Sequence, residues 1–137
     1  MYLPSYVSLH TALAFYGLIP EAIVQYTSVS SLKTNNFKNQ FGTFTYNNIK
    51  AECFFGYNIL PFSKEKSILI AKAEKALLDM LYFYPFYDSE KELKDLRIDE
   101  SVLNEVINRD TFIEFGEKYN NKMLLSRMNT FIKVYRP

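Results

Sequence analysis

The stretch that decides the fold reads Ser67-Ile68-Leu69-Ile70-Ala71-Lys72-Ala73-Glu74-Lys75-Ala76-Leu77-Leu78-Asp79-Met80-Leu81-Tyr82-Phe83-Tyr84-Pro85. Its first part is a short continuous apolar run centred on Ile68, Leu69 and Ile70, the pattern of an internal strand. From Ala73 onward, Ala73, Ala76, Leu77, Met80, Leu81 and Tyr84 recur at spacings of three and four. That rhythm lays one apolar stripe along a helix. Pro85 cannot donate a backbone hydrogen bond and ends it. Strand-like sequence therefore gives way to helix-like sequence near Lys72.

The same division runs through the whole chain. Residues 1–60 carry only Glu21, Lys33, Lys38, Lys50 and Glu52 as charges. They are rich in aromatic, Thr, Ser and Asn residues, which suits strands and turns. After Pro61 the sequence is rich in Lys, Glu and Leu, which suits helices with solvated faces. A first helix is predicted over residues 9–16, with Ser8 as its cap and Gly17 as its stop. Strands are predicted over 23–29, 43–49, 54–60 and 67–71. The second of these pairs in a hairpin with the segment around Phe37, and its Phe44 and Tyr46 share one face. Later helices are predicted over 73–84, 99–109 and about 121–134. One more is capped by Asp110, and a short one lies between Ser89 and Leu96. The expected fold class is α+β: a small, mainly antiparallel sheet over residues 23–71, packed against C-terminal helices.

Composition bounds the function. With 137 residues the chain has the size of one domain. Sixteen Lys and Arg stand against 15 Asp and Glu, a net charge of +1, which gives no support for a bulk-basic nucleic-acid binder. Apolar residues at 48% rule out a disordered chain. One cysteine, Cys53, excludes an internal disulfide, and one histidine, His10, speaks against a His-based metal site. No cofactor-binding motif is found; the four glycines are isolated, so no phosphate loop exists. No apolar stretch reaches the roughly 20 residues that span a bilayer, so no membrane is expected and the cytoplasm is the default compartment.

Two constellations carry possible chemistry. Glu74, Lys75 and Asp79 follow a strand, as the carboxylates and lysine of a metal-dependent nuclease would. Their spacing does not put all three on one line of a helix. The plainer reading makes Glu74 a first-turn acid and Lys75–Asp79 a surface pair worth a few tenths of a kcal/mol. The second constellation is basic: Lys33, Lys38 and Lys50 lie around the hairpin with no acid between Ser30 and Lys50, and with Phe41 and Tyr46 interleaved. Such a face can meet phosphates or an acidic protein surface. Lysines guarding a sheet edge are the structural alternative. Lys33, Lys38, Phe41, Tyr46 and Lys50 are the expected contact residues; no catalytic, cofactor-binding or metal-binding residue is expected.

Several pieces of the sequence, taken in order, resemble a known family. They are Pro4-Ser5-Tyr6-Val7-Ser8-Leu9, Ala12-Leu13, Tyr16-Gly17-Leu18-Ile19-Pro20-Glu21, Thr27-Ser28-Val29, Phe41-Gly42-Thr43-Phe44, Ile49-Lys50, Phe54-Phe55-Gly56, and Ile70-Ala71 with Glu74-Lys75-Ala76-Leu77-Leu78-Asp79. The chain resembles the C-terminal domain of the AbiEi family, the antitoxins and transcriptional regulators of bacterial abortive-infection type IV toxin–antitoxin systems. The resemblance covers roughly residues 4–84. It implies a non-enzymatic regulatory protein of phage defence. Its partner would be a cognate nucleotidyltransferase-like toxin, which it neutralises, and it would support repression of its own operon. Operator DNA would be met through the family's N-terminal winged helix-turn-helix. The motif that follows that element begins here at Tyr2, so residues 1–137 are expected to form one domain without it. Leu32, Thr43, Asn47 and Asn48 stand where the family often has Arg or His. A metal-dependent nuclease, or an inactive relative of one, is the alternative reading.

Overall fold

The computed structural model describes residues 5–19, 25–30, 35–39, 42–61 and 67–136. Extended Ser5–Val7 forms β1 and leads into α1 (Leu9–Phe15). Then come β2 (Gln25–Ser30), β3 (Asn35–Asn39), β4 (Gly42–Asn48), a 3-10 turn at Ala51–Cys53, β5 (Tyr57–Pro61) and β6 (Ser67–Ala71). The helices α2 (Ala73–Phe83), α3 (Glu90–Asp95), α4 (Glu100–Val106), α5 (Arg109–Lys118) and α6 (Lys122–Tyr135) complete the chain. This is the α+β fold, with α1 inserted after the first strand and the other five helices of the described residues after Lys72.

The strands form one six-stranded sheet in the order β3-β4-β2-β1-β6-β5. Three pairings are antiparallel (β1–β2, β3–β4 and β5–β6), and β1–β6 and β2–β4 are parallel. The sheet reaches further toward the N-terminus than residues 23–71, because β1 lies at its centre. Three residues are too short for a period-2 signal, and the pairing partners of β1 come from β2 and from β6, far along the chain. The hairpin forms as the pattern implies, Phe37 opposite Phe44 and Asn39 opposite Gly42. Its loop residues Gln40 and Phe41 lie outside the described residues.

α2 is the centre of the molecule. Every residue from Ala73 to Leu81 is buried, because α2 packs against α1, β6, α5 and α6. A helix covered on all sides needs its end groups satisfied by neighbours. The buried Arg127 of α6 does this, its Nε donating to the Leu81 carbonyl at 2.8 Å. Glu74 does the converse, its carboxylate accepting from the Asn108 amide at 2.8 Å.

Helix boundaries follow the caps. Asp99, Asn108, Asn121 and Ser89 each accept a hydrogen bond from an amide three residues on. The cap of α5 is therefore Asn108, two residues before the expected cap, Asp110, and α4 ends at Val106 rather than near residue 109. Gly17 ends α1 as expected, at φ +78°, with the Leu18 amide donating to the Leu13 carbonyl at 2.9 Å.

Candidate functional site

The Lys75–Asp79 pair is not on the surface. Both side chains are wholly buried, and Lys75 Nζ lies 2.7 Å from Asp79 Oδ1. The expectation of an ordinary exposed i, i+4 pair is therefore corrected. α1, β6, α5 and α6 pack around α2, and its side that carries Lys75 and Asp79 is covered by Tyr6, Ser8, Phe55 and Tyr119. A sequence with apolar residues on almost every side of Lys75 and Asp79 is the sign of such burial.

Four groups converge on the Asp79 carboxylate. Lys75 Nζ and the Tyr119 hydroxyl donate to Oδ1. The Tyr6 hydroxyl donates to Oδ2 at 2.8 Å and the Ser8 hydroxyl at 2.7 Å. Lys75 also donates to the Tyr119 oxygen at 2.5 Å, so that oxygen accepts from the ammonium while its proton goes to the carboxylate. Rings surround the ammonium: Tyr119 with its centroid at 4.2 Å, Phe55 at 4.6 Å and Tyr6 at 5.7 Å. Cation–π attraction offsets part of the cost of removing the charge from water. Phe54 and Tyr57 close over Tyr6, their centroids 5.0 and 5.5 Å from it.

Electrostatics follow from this enclosure. Burial pushes Lys75 below the ordinary lysine range, against the pull of Asp79. Burial first, and the Asp79 charge second, push Tyr6 and Tyr119 well above the usual tyrosine value. The Cys53 thiol, itself buried, is likewise raised by burial. Both tyrosines are thus held as donors.

Ser8 stands at the N-cap position of α1, yet makes no side-chain cap. Thr27 of β2 supplies it instead: its Oγ1 accepts from the Thr11 amide at 3.2 Å and donates to the Ser8 carbonyl at 2.8 Å. The Ser8 hydroxyl is thereby released for Asp79. Between them Leu9, buried, takes φ +57°, a left-handed conformation that a leucine holds only under constraint from both neighbours.

The centre gathers residues from four separate motif stretches: Tyr6 and Ser8, Thr27, Phe54-Phe55-Gly56, and Glu74-Lys75 with Asp79. Gly56 belongs because of space. Its φ is +75°, and a Cβ there would stand 3.1 Å from both Lys75 Cγ and Phe115 Cε2. Tyr119, which completes the network from the end of α5, lies beyond those stretches. No local sequence signal marks it, since it reads as one more apolar position of its helix.

The basic constellation is only partly assembled. Lys50 is exposed, directly before the 3-10 turn. Tyr46 is buried at 5% exposure, so it does not reach a partner. Its place on β4, opposite Ser28 of β2 and Asn35 of β3, puts it inside the sheet rather than at its rim. Lys38 lies on β3, the edge strand. Lys33 and Phe41 lie outside the described residues. His10 stacks edge-on against Tyr84.

One further concavity, of about 290 Å³, is lined by Glu90, Lys94, Lys133, Val134 and Arg136. Lys133 pairs with Glu90 at 3.1 Å and holds that carboxyl below its usual range. Its lysines lie in the last turns of α3 and α6, where cations suit the negative helix ends. Among the described residues no three His, Cys, Asp or Glu side chains gather as a metal group, and no helix is long and apolar enough to cross a membrane. Compared with known proteins, the chain matches no family model, no curated protein and no solved structure.

Proposed function

We propose that this chain is a non-enzymatic interaction domain of the kind its motifs resemble, an antitoxin and autorepressor that neutralises a nucleotidyltransferase-like toxin. One observation carries the reading. The cluster that holds acid–base residue types, Lys75, Asp79, Tyr6 and Tyr119, is sealed from solvent and spends its hydrogen bonds on itself. A general acid or base must reach the proton it moves. Among the described residues these groups reach only one another and the Ser8 hydroxyl, and they tie β1, the start of α1, α2 and the end of α5 into one body. The resemblance-bearing residues that meet there act as architecture for a surface that binds.

That surface is assigned to the hairpin lysines Lys33, Lys38 and Lys50, without Tyr46. The test co-expresses the full protein with the nucleotidyltransferase-like toxin that this reading expects to be encoded beside its gene. Rescue of growth is expected, and its loss in a folded Lys33→Glu, Lys38→Glu, Lys50→Glu variant. No rescue by the wild type overturns the antitoxin reading. Rescue by the triple variant overturns the choice of face. Incubation with nucleic acid and Mg²⁺ or Mn²⁺ is expected to leave the substrate intact; cleavage that Lys75→Met abolishes would restore the nuclease alternative.

A further inference from the structure

Among the described residues, the six-stranded sheet ends at β3 and at β5. β5 reads Tyr57-Asn58-Ile59-Leu60-Pro61 and carries no charge. Asn58 and Pro61 are exposed, and Ile59 is 69% exposed. β3, at the opposite edge, carries Lys38, a residue type that blocks edge-to-edge pairing. β5 has no charged guard, and its proline stands at the last residue, Pro61.

The direction of its amides follows from the ladder. β5 pairs with β6 antiparallel, Tyr57 opposite Ala71 through to Pro61 opposite Ser67. The Lys72 amide donates to the Gly56 carbonyl at 2.8 Å. Gly56 and Lys72 are thus a hydrogen-bonded pair, and such pairs alternate with non-bonded ones. Asn58–Ile70 and Leu60–Ile68 are then the bonded pairs within the sheet. Tyr57, Ile59 and Pro61 turn their backbone groups to the open edge. Pro61 has no N–H to lose there, which is where an edge strand tolerates proline.

We propose that β5 pairs antiparallel with β5 of a second copy, about a two-fold axis at Ile59, joining the two sheets into one. The edge is complementary to itself. With Ile59 opposite the Ile59 of the second copy, each donates its amide to the other's carbonyl. The Tyr57 amide of each copy meets the Pro61 carbonyl of the other, so the missing proline donor leaves only the Tyr57 carbonyls unmatched. Charge selects the same occupant. Near a two-fold axis each residue meets its own kind, so a charged strand would repel itself, and this one has no charge. The two Ile59 side chains then cover each other.

Sedimentation over a wide concentration series tests this. The wild type is expected to pass from monomer to dimer mass. Ile59→Lys and Ile59→Glu are each expected to remain monomeric, because like charges then face each other, and an equimolar mixture of the two is expected to recover the dimer. Ile59→Pro removes the outward amide, together with the isoleucine side chain, without removing a hydrogen bond to β6, and is expected to abolish dimers while circular dichroism stays native. A wild type that remains monomeric throughout, an Ile59→Lys or Ile59→Pro variant that dimerises like the wild type, or a mixture that fails to re-associate overturns the proposal.

Discussion

Lys75 and Asp79 stand one turn apart on α2 with their charges 2.7 Å from each other and no exposure to solvent. Removing one member of such a pair strands the other charge in an apolar interior, at a cost of about 3–5 kcal/mol. Lys75→Met is therefore expected to lower stability by that order in urea unfolding. The double variant Lys75→Met, Asp79→Leu is expected to lose less than the sum of the two single changes, since neither then leaves a bare charge. A single-variant loss below about 0.5 kcal/mol, the level of surface sites, would show that solvent reaches the pair.

Alkaline pH should unfold the protein through the same centre. Tyr6 and Tyr119 have native pKa values above the ordinary 10.0. Above pH 10 the unfolded chain gives up these protons and the native state keeps them, so stability falls as pH rises. Lys75 acts in the opposite sense, because its native pKa is below 10.5 and the unfolded chain binds the extra proton up to that pH. Two tyrosines outweigh one lysine above pH 10. The urea midpoint is expected to fall between about pH 10 and pH 12, and tyrosinate absorbance to gain a final cooperative step with unfolding. A midpoint that rises over this range would show the lysine dominating.

Leu77 and Met80 are fully buried on the stripe read from the sequence. Leu77→Ala or Met80→Ala is expected to cost about 2–5 kcal/mol in denaturant unfolding, the usual cost of a core cavity. A loss typical of the surface would mean that α2 is rotated about its axis.

The strand Ser67–Ala71 and the helix after it were legible because a continuous apolar run and a 3, 4 spacing are local signals. The centre was not, and the reason is physical. Ser8 has the residue type and position of a cap, but Thr27 takes that role from another strand, and nothing near Ser8 reports it. Lys75 and Asp79 have the spacing of a surface pair, and only the closing of Tyr6, Ser8, Phe55 and Tyr119 over them, all distant in sequence, makes them buried. Tyr46 lies on β4 as its alternation implies, but its burial excludes it from any contact surface. β1 needed partners from β2 and β6 to exist at all.

Glu74 joins α2 to the start of α5 through the Asn108 amide. Asn108 caps α5 with its own side chain, which accepts from the Thr111 amide at 3.0 Å. Glu74→Ala leaves a part-buried amide without its acceptor, expected to cost about 1–3 kcal/mol. Glu74→Gln keeps a carbonyl oxygen in place and should cost less. Hydrogen exchange is expected to accelerate at the first turn of α5 in the alanine variant. Unchanged exchange there would show that this bond does not position the helix.

Gly56 and Gly17 allow the crowding over Lys75 to be separated from backbone strain. Both have left-handed φ, +75° and +78°, so alanine at either meets a backbone penalty of about 1–2 kcal/mol. Their surroundings differ. A Cβ at Gly17 meets only Val102 Cγ1 at 4.0 Å, ordinary contact. A Cβ at Gly56 meets Lys75 Cγ and Phe115 Cε2 at 3.1 Å and Lys75 Cβ at 3.2 Å. Lys75 is anchored at its far end by Asp79 and Tyr119, so its stem cannot swing aside without disturbing the buried pair. Gly56→Ala is therefore expected to cost more than Gly17→Ala by an overpacking increment of about 1–3 kcal/mol. In a Lys75→Met background, whose flexible thioether has no anchor, the increment should shrink. Equal losses for the two glycines in the wild type would mean that the Lys75 stem yields freely, and that the ammonium is not held where the ring cage places it.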